Sequence, residues 1–249
     1  MKENLVKTIV NHGNFLDFVK SDSLKNLEFV LGSSNEHEYQ ILDLAKCGNV
    51  IIGGTTGSGK SVFLHSVIVS FLLRKNDKPV KFAFIDPKAV EFHEYRNLTN
   101  LYAPIAKGMQ EGVELLNSIK KLIIGREQIN DIESNILVFV DEYADLVDLS
   151  PDVGKLVVEL LKRGPKVGVH FFIATQIPRK DIYTKDLLQA ANVKIAFMLF
   201  NKDEYKNMLG TSKVEELNRS GDMYVNVDGS IFPSHAFYVP YPEIKKILK

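Results

Sequence analysis

The chain has 249 residues, 45% of them hydrophobic and 25% charged, with a formal net charge of zero. That is apolar material for a full core, in one large domain or two small ones, and zero net charge excludes a global basic field directed at nucleic acid. The single cysteine, Cys47, excludes an intrachain disulfide and fits a reducing compartment, and no apolar run reaches the roughly 18 residues of a membrane-spanning helix.

Residues 1–15 are broken by Lys7, Asn11, His12 and Gly13 and lack the continuous apolar stretch of a signal peptide. A soluble, cytoplasmic protein is the expectation. Residues 1–26 read as an N-terminal arm with two short helical pieces, at 5–10 and 15–19. Residues 27–31, closed by Gly32, read as a strand, and 39–44 as its hairpin partner.

Residues 50–53 are an apolar strand running into Gly54-Thr55-Thr56-Gly57-Ser58-Gly59-Lys60-Ser61. Gly54, Gly59, Lys60 and Ser61 match the phosphate-binding P-loop pattern. Glycines let successive backbone N–H groups turn toward one anion, and the helix that follows offers its positive end to the same group. Lys60 is expected on the β/γ-phosphates of ATP and the Ser61 hydroxyl on Mg²⁺. Val62, Leu64, Val67, Ile68, Phe71 and Leu72 then give a largely buried helix, ending in the cations Arg74 and Lys75.

Residues 80–85 form a short apolar strand ending at Asp86-Pro87-Lys88, which on its own reads as a plain turn. Residues 110–124 make an amphipathic helix. Residues 136–140 are continuously apolar, as a buried parallel strand is, and run into Asp141-Glu142. Two readings fit this pair: acidic residues in the first turn of a solvated helix, or the second half of the nucleotide site. In the second, Asp141 holds Mg²⁺ and Glu142 deprotonates the attacking water. The P-loop upstream favours it.

A helix over 151–163 follows, with Pro151 at its start. A strand over 169–175 ends at Gln176, either a γ-phosphate sensor or a polar strand cap. A strand at 193–200, a short helix at 205–209 and a hairpin of 223–227 with 231–238 around Asp228-Gly229 complete the chain. Strands alternating with helices argue an α/β fold with a mainly parallel central sheet flanked by helices and a C-terminal β-hairpin. The division is 1–26 as arm and 27–249 as one ATPase domain.

The six histidines are scattered without metal-ligand spacing. Lys162, Arg163 and Lys166 form one basic cluster, and Arg179, Lys180 and Lys185 another. Each is either a solvated patch or a phosphate contact.

Several of these stretches together resemble the FtsK/SpoIIIE family of DNA translocases. They are the P-loop with Asp43-Leu44-Ala45-Lys46 ahead of it, Asp86-Pro87-Lys88 with Val90-Glu91, Asp141-Glu142-Tyr143-Ala144-Asp145-Leu146, Ala174-Thr175-Gln176 with Pro178, and Gly221-Asp222-Met223. They fall in family order over about residues 27–240. The resemblance implies a RecA-like P-loop NTPase that assembles as a homo-hexameric ring around double-stranded DNA and moves it using ATP and Mg²⁺. It implies only the RecA-like part, without the family's preceding motor subdomain, membrane segment or C-terminal winged helix. The arginine that the family carries before the Gln strand is shifted or lost in Lys162-Arg163-Gly164-Pro165-Lys166-Val167-Gly168. This leaves Arg163 and Arg126 as candidates for a finger acting on a neighbour's nucleotide. Two other functions remain open: a protein-secretion ATPase of the EssC type and a non-hydrolysing nucleotide-binding assembly module. Glu142 argues against the module, because binding alone needs no base.

Overall fold

The computed structural model describes residues 5–21, 23–35, 37–74, 77–129, 132–176, 178–217 and 220–249. Lys75, expected at the end of the P-loop helix, lies outside them. The chain runs β1 (Val6–Val10), α1 (Phe15–Lys20), β2 (Glu28–Asn35), β3 (Glu38–Asp43), α2 (Leu44–Cys47), β4 (Val50–Gly53), α3 (Lys60–Leu72) and β5 (Val80–Ile85). It continues with α4 (Met109–Ile129), β6 (Asn135–Val140), α5 (Tyr143–Leu149), α6 (Pro151–Arg163), β7 (Val169–Thr175) and α7 (Lys185–Gln189). It closes with β8 (Val193–Ala196), α8 (Lys202–Leu209), β9 (Asp222–Val227), β10 (Ser230–His235) and α9 (Tyr241–Ile247).

The strands form one sheet in the order β1-β3-β2-β10-β9-β8-β4-β7-β6-β5. From β8 to β5 every pairing is parallel, and from β1 to β8 every pairing is antiparallel. The sheet is therefore mixed, which corrects the expectation of a mainly parallel one. Connection length is the reason. The helix-linked strands β4 to β8 run parallel, whereas β2–β3 and β9–β10 are joined by turns too short for a crossover, and β9 returns antiparallel to β8 although α8 lies between them. Asp228 and Gly229 turn the second hairpin with φ of 51° and 89°, the left-handed pair such a turn requires.

The expected helix at 5–10 is instead β1, paired along its length with β3. A helix this short is marginal on its own. Val6, Thr8, Ile9 and Val10 are β-branched, and the free edge of β3 supplies their hydrogen bonds. Phe15, Phe18 and Val19 of α1 are buried in the main core. β8 is shorter than expected, ending at Ala196. Beyond it, Phe197 N–H donates to Gly53 O at 2.9 Å and the chain turns across the P-loop.

Helices cover both faces of the parallel half. Ile52, Phe82, Phe84, Leu137, Phe139 and Phe172 point to a core with α1, α3 and α9. Ile51, Ile85, Val138, Val140, Phe171 and Ile173 point to a second core with α4 to α8. Both alternating faces are buried, so these strands read as continuous apolar runs. In α6 the stripe Val153, Val157, Leu160 and Leu161 is buried, Ser150 caps the start and Lys162 and Arg163 lie in the last turn. The carboxyl ends of β4, β7, β6 and β5 lie side by side, and the residues that could carry chemistry follow them.

Candidate active site

Four loops converge there: 54–59 after β4, 86–92 after β5, 141–142 after β6 and 176 after β7. The first is shaped by its glycines. Gly59 has φ of 111°, and a Cβ there would lie 2.6 Å from Gly221 N. No side chain fits, and the Gly221 N–H donates to Ser58 O at 2.9 Å. The C-terminal hairpin thus braces the loop from behind. On its other side Thr55 N–H and Oγ1 donate to Met198 O at 2.8 and 3.0 Å.

Lys60 opens α3 and is buried, with Nζ donating to Gly54 O at 2.6 Å and Thr55 O at 3.4 Å. Burial lowers its ordinary value, and the charges of Asp141, Glu142 and Glu91 partly restore it. The Thr56 hydroxyl donates to Gln176 Oε1 at 2.8 Å, so two residues that are distant in sequence, one from each loop, meet directly. Ser61 Oγ donates to Glu91 Oε2 at 2.7 Å. Gly57 has φ of 77° with open space around it.

Facing Lys60 is a group of carboxylates. Asp86 is fully buried, and its Oδ2 accepts from Glu91 N–H at 2.8 Å and Phe92 N–H at 3.0 Å. Burial raises Glu91, but hydrogen bonds from His65 and Ser61, then the charges of His65 and Lys60, leave it below the usual carboxylate range. Glu142 sits in the left-handed region at φ 54°. That conformation costs a non-glycine residue energy and is typical of functional sites. Its Oε1 accepts from Thr175 Oγ1 at 2.6 Å and Gln176 N–H at 3.2 Å. Lys88 Nζ lies 3.9 Å from Glu142 Oε2 and 3.2 Å from Asp145 Oδ2.

Asp141 is pushed up to about 7, first by burial and then by Glu91, Asp86 and Glu142, with Lys60 opposing. A carboxyl held above its unfolded value stabilises the fold while protonated, and that contribution is lost as pH rises through about 7. A divalent cation beside Asp141 would replace the proton. The rise in melting temperature caused by Mg²⁺ is therefore expected to be larger at about pH 8 than at about pH 6, by several degrees at ~2–4 °C per kcal/mol. Equal shifts in thermal melts at the two pH values would mean that no cation sits against Asp141.

The residues suit a polyphosphate and a hard divalent cation. Ser58 Oγ in the P-loop and Asp86 Oδ1 are buried without a hydrogen-bond partner among the described residues. No group of three His, Cys, Asp or Glu side chains among the described residues can hold a metal alone, so a cation would need hydroxyl and substrate oxygens as well.

Every candidate from the sequence, Gly54 to Ser61, Asp141, Glu142 and Gln176, lies in this convergence. Glu91, Thr175, Lys88 and Gly221 join them without having been assigned a role. The signal for Glu91 was its place five residues after Asp86, but its contact with Ser61 is long-range. The two finger candidates are engaged elsewhere. Arg126 is buried and donates to Val167 O and Ser134 Oγ. Arg163 pairs with Glu127 and Glu159. Arg179 pairs with Asp148 at 2.6 Å. Lys180 and Lys185 are exposed and, with Lys194, line a cleft of about 460 Å³.

The sequence model of the FtsK/SpoIIIE family matches residues 19–130. A protein named DNA translocase FtsK from Caldanaerobacter subterraneus subsp. tengcongensis is 31% identical over 237 residues, covering 88% of this chain and 33% of that protein. The one from Haemophilus influenzae is 28% identical over 272 residues, covering 91% and 51%. The chain thus spans about a third to a half of the length of these curated relatives. Among solved structures, the pCW3 conjugation coupling protein TcpA, a monomer form with ATPγS, superposes with a TM-score of 0.75 at 19% identity, over 93% of this chain and 72% of that one. The cytoplasmic domain of the type VII secretion ATPase EccC from Thermomonospora curvata gives 0.75 at 17%, over 95% and 33%. The chain shares its fold with both of these structures.

Proposed function

We propose, from the similarity of residues 19–130 to the FtsK/SpoIIIE family and of the chain to DNA translocase FtsK proteins, that it is an ATP-hydrolysing, RecA-like motor that moves double-stranded DNA as a homo-hexameric ring in the cytoplasm. The observation that carries hydrolysis is the Glu142 carboxylate, held by Thr175 Oγ1 and Gln176 N–H in the same convergence of loops as Lys60. A binding module has no use for a strained, buried carboxylate in that place.

The roles divide among the loops. The N–H groups of residues 54–61 and Lys60 bind the phosphates, with Lys60 on the β/γ-phosphates. Ser61 and Asp141 would hold Mg²⁺, which when bound offsets the phosphate charge. Glu142 accepts the proton of the attacking water. Gln176, bonded to Thr56, reports on the γ-phosphate. A transition-state arginine would come from a neighbouring subunit, and Arg163 would first have to leave Glu127 and Glu159. Among the described residues no helix is long and apolar enough to cross a membrane.

Duplex-stimulated ATP turnover tests this reading. A second reading, a protein-secretion ATPase, is favoured by the superposition on the type VII secretion ATPase and predicts turnover indifferent to duplex. For DNA contact, Lys180 and Lys185 are favoured over Arg179, which Asp148 neutralises. Reversing both lysines to Glu is expected to abolish most duplex stimulation and leave ATP binding intact. It should also lower the log–log salt slope of duplex binding by about 2. Sedimentation of labelled duplex across a salt series checks this, with ATP and Glu142→Gln favouring the ring, since linked contacts multiply into avidity. Binding without salt dependence would refute a phosphate contact.

A further inference from the structure

Behind Ser61 lies a chain of side chains that the proposed chemistry does not use. Glu91 Oε2 accepts from Ser61 Oγ at 2.7 Å. Glu91 Oε1 lies 3.0 Å from His65 Nε2, and His65 Nδ1 lies 2.7 Å from Tyr95 OH. Glu91 and His65 have side-chain exposures of only 16% and 15%, so water competes poorly for these bonds. The loop that presents Glu91 is itself anchored, because Asp86 Oδ2 caps the N–H groups of Glu91 and Phe92. The preceding Ala89 takes φ of 54° to make the bend.

At the carboxylate the direction is fixed, with Ser61 Oγ donating to Glu91. Burial pushes the Tyr95 hydroxyl well above its ordinary value, so it keeps its proton. It shares a hydrogen bond with His65 Nδ1, which fixes the imidazole with Nε2 facing Glu91. Glu91 is then a carboxylate that accepts from both neighbours. A serine hydroxyl has one proton and two lone pairs. With the proton committed to a fixed carboxylate, the hydroxyl no longer rotates freely, and both lone pairs turn away from Glu91.

We propose that Glu91, held by His65 and Tyr95, is a positioning residue that orients the Ser61 hydroxyl to offer a lone pair to a divalent cation. The inference rests on the reading of Ser61 as a cation ligand. Glu91 does not touch the cation itself. It accepts a hydrogen bond from the ligand's hydroxyl and so makes the ligand oxygen a better donor of its lone pair. Removing partners of this kind typically weakens metal affinity about 10–100-fold. The arrangement also explains why His65 lies one helical turn after Ser61 on α3. From that position its ring reaches the far oxygen of the carboxylate that Ser61 contacts.

The test is titration of ATP into the wild type and variants, once with Mg²⁺ and once with EDTA. The ratio of the two affinities measures the cation's contribution without reference to turnover. Glu91→Ala is expected to lower that ratio about ten-fold, with binding in EDTA unchanged within about two-fold. Glu91→Gln, which keeps a neutral acceptor, should fall between. His65→Ala should lower the ratio less, and His65→Gln, whose amide can donate where Nε2 does, should restore it. Ser61→Ala is the reference. If Ser61→Ala lowers the ratio and Glu91→Ala does not, the positioning role is overturned while the ligand reading survives. If Glu91→Ala weakens binding equally in EDTA, the role is structural and the proposal fails. If the wild type shows no cation dependence, the ligand reading and this inference fail together.

Discussion

Lys60→Ala is expected to abolish tight ATP binding. The change removes a point charge from the β/γ-phosphates, and a charged hydrogen bond contributes about 1.5–3 kcal/mol, or roughly 10–100-fold in affinity for each such contact. The real loss should be larger, because Lys60 is part of the loop's own architecture. Its Nζ bonds Gly54 O at 2.6 Å and Thr55 O at 3.4 Å, so Ala removes a donor from both carbonyls, leaving Thr55 O only the Ser58 N–H, and loosens the cradle. Lys60→Met, which keeps the buried stem, separates the two effects. Titration with a labelled ATP analogue is the measurement, with thermal melting to show that the variants fold. Wild-type affinity in Lys60→Ala would remove the phosphate-binding reading of residues 54–61.

Glu142→Gln should bind ATP normally and hydrolyse it at least ~100-fold more slowly, the scale of losing a general base. The substitution is gentle on structure. The amide oxygen can still accept from Thr175 Oγ1 and Gln176 N–H, which now hold Glu142 Oε1 at 2.6 and 3.2 Å. What is lost is the ability to accept a proton. The residue must also keep φ of 54°, which Gln tolerates as Glu does. Steady-state phosphate release with and without duplex is the assay. If turnover persists, Glu142 is not the base, and Asp145, whose Oδ2 lies 3.2 Å from Lys88 Nζ, becomes the residue to test.

What the sequence determined by itself is what depends on few neighbours. The P-loop was legible because a phosphate cradle is a local object. Gly57 and Gly59 take left-handed φ of 77° and 111°, which glycine adopts without steric cost. The Asp228-Gly229 turn was legible for the same reason. β4 to β7 were legible because strands buried on both faces must be apolar throughout, and Asp141, Glu142 and Gln176 then fell at their carboxyl ends by counting. The tertiary structure decided everything that needs a distant partner. Residues 6–10 are a strand only because β3 presents a bare edge to them. The two antiparallel hairpins join the parallel strands in one mixed sheet, with His235 opposite Ser33 linking β10 to β2, and a period of two carries no record of which edge a hairpin docks on. Glu91 reaches Ser61 from thirty residues away. Whether Arg126, Arg163 and Arg179 are free for a ligand depended on Val167, Glu127 and Asp148 across the packing. A backbone turn is encoded over a few residues, but the partner of a long charged side chain is chosen by whatever the fold packs opposite it.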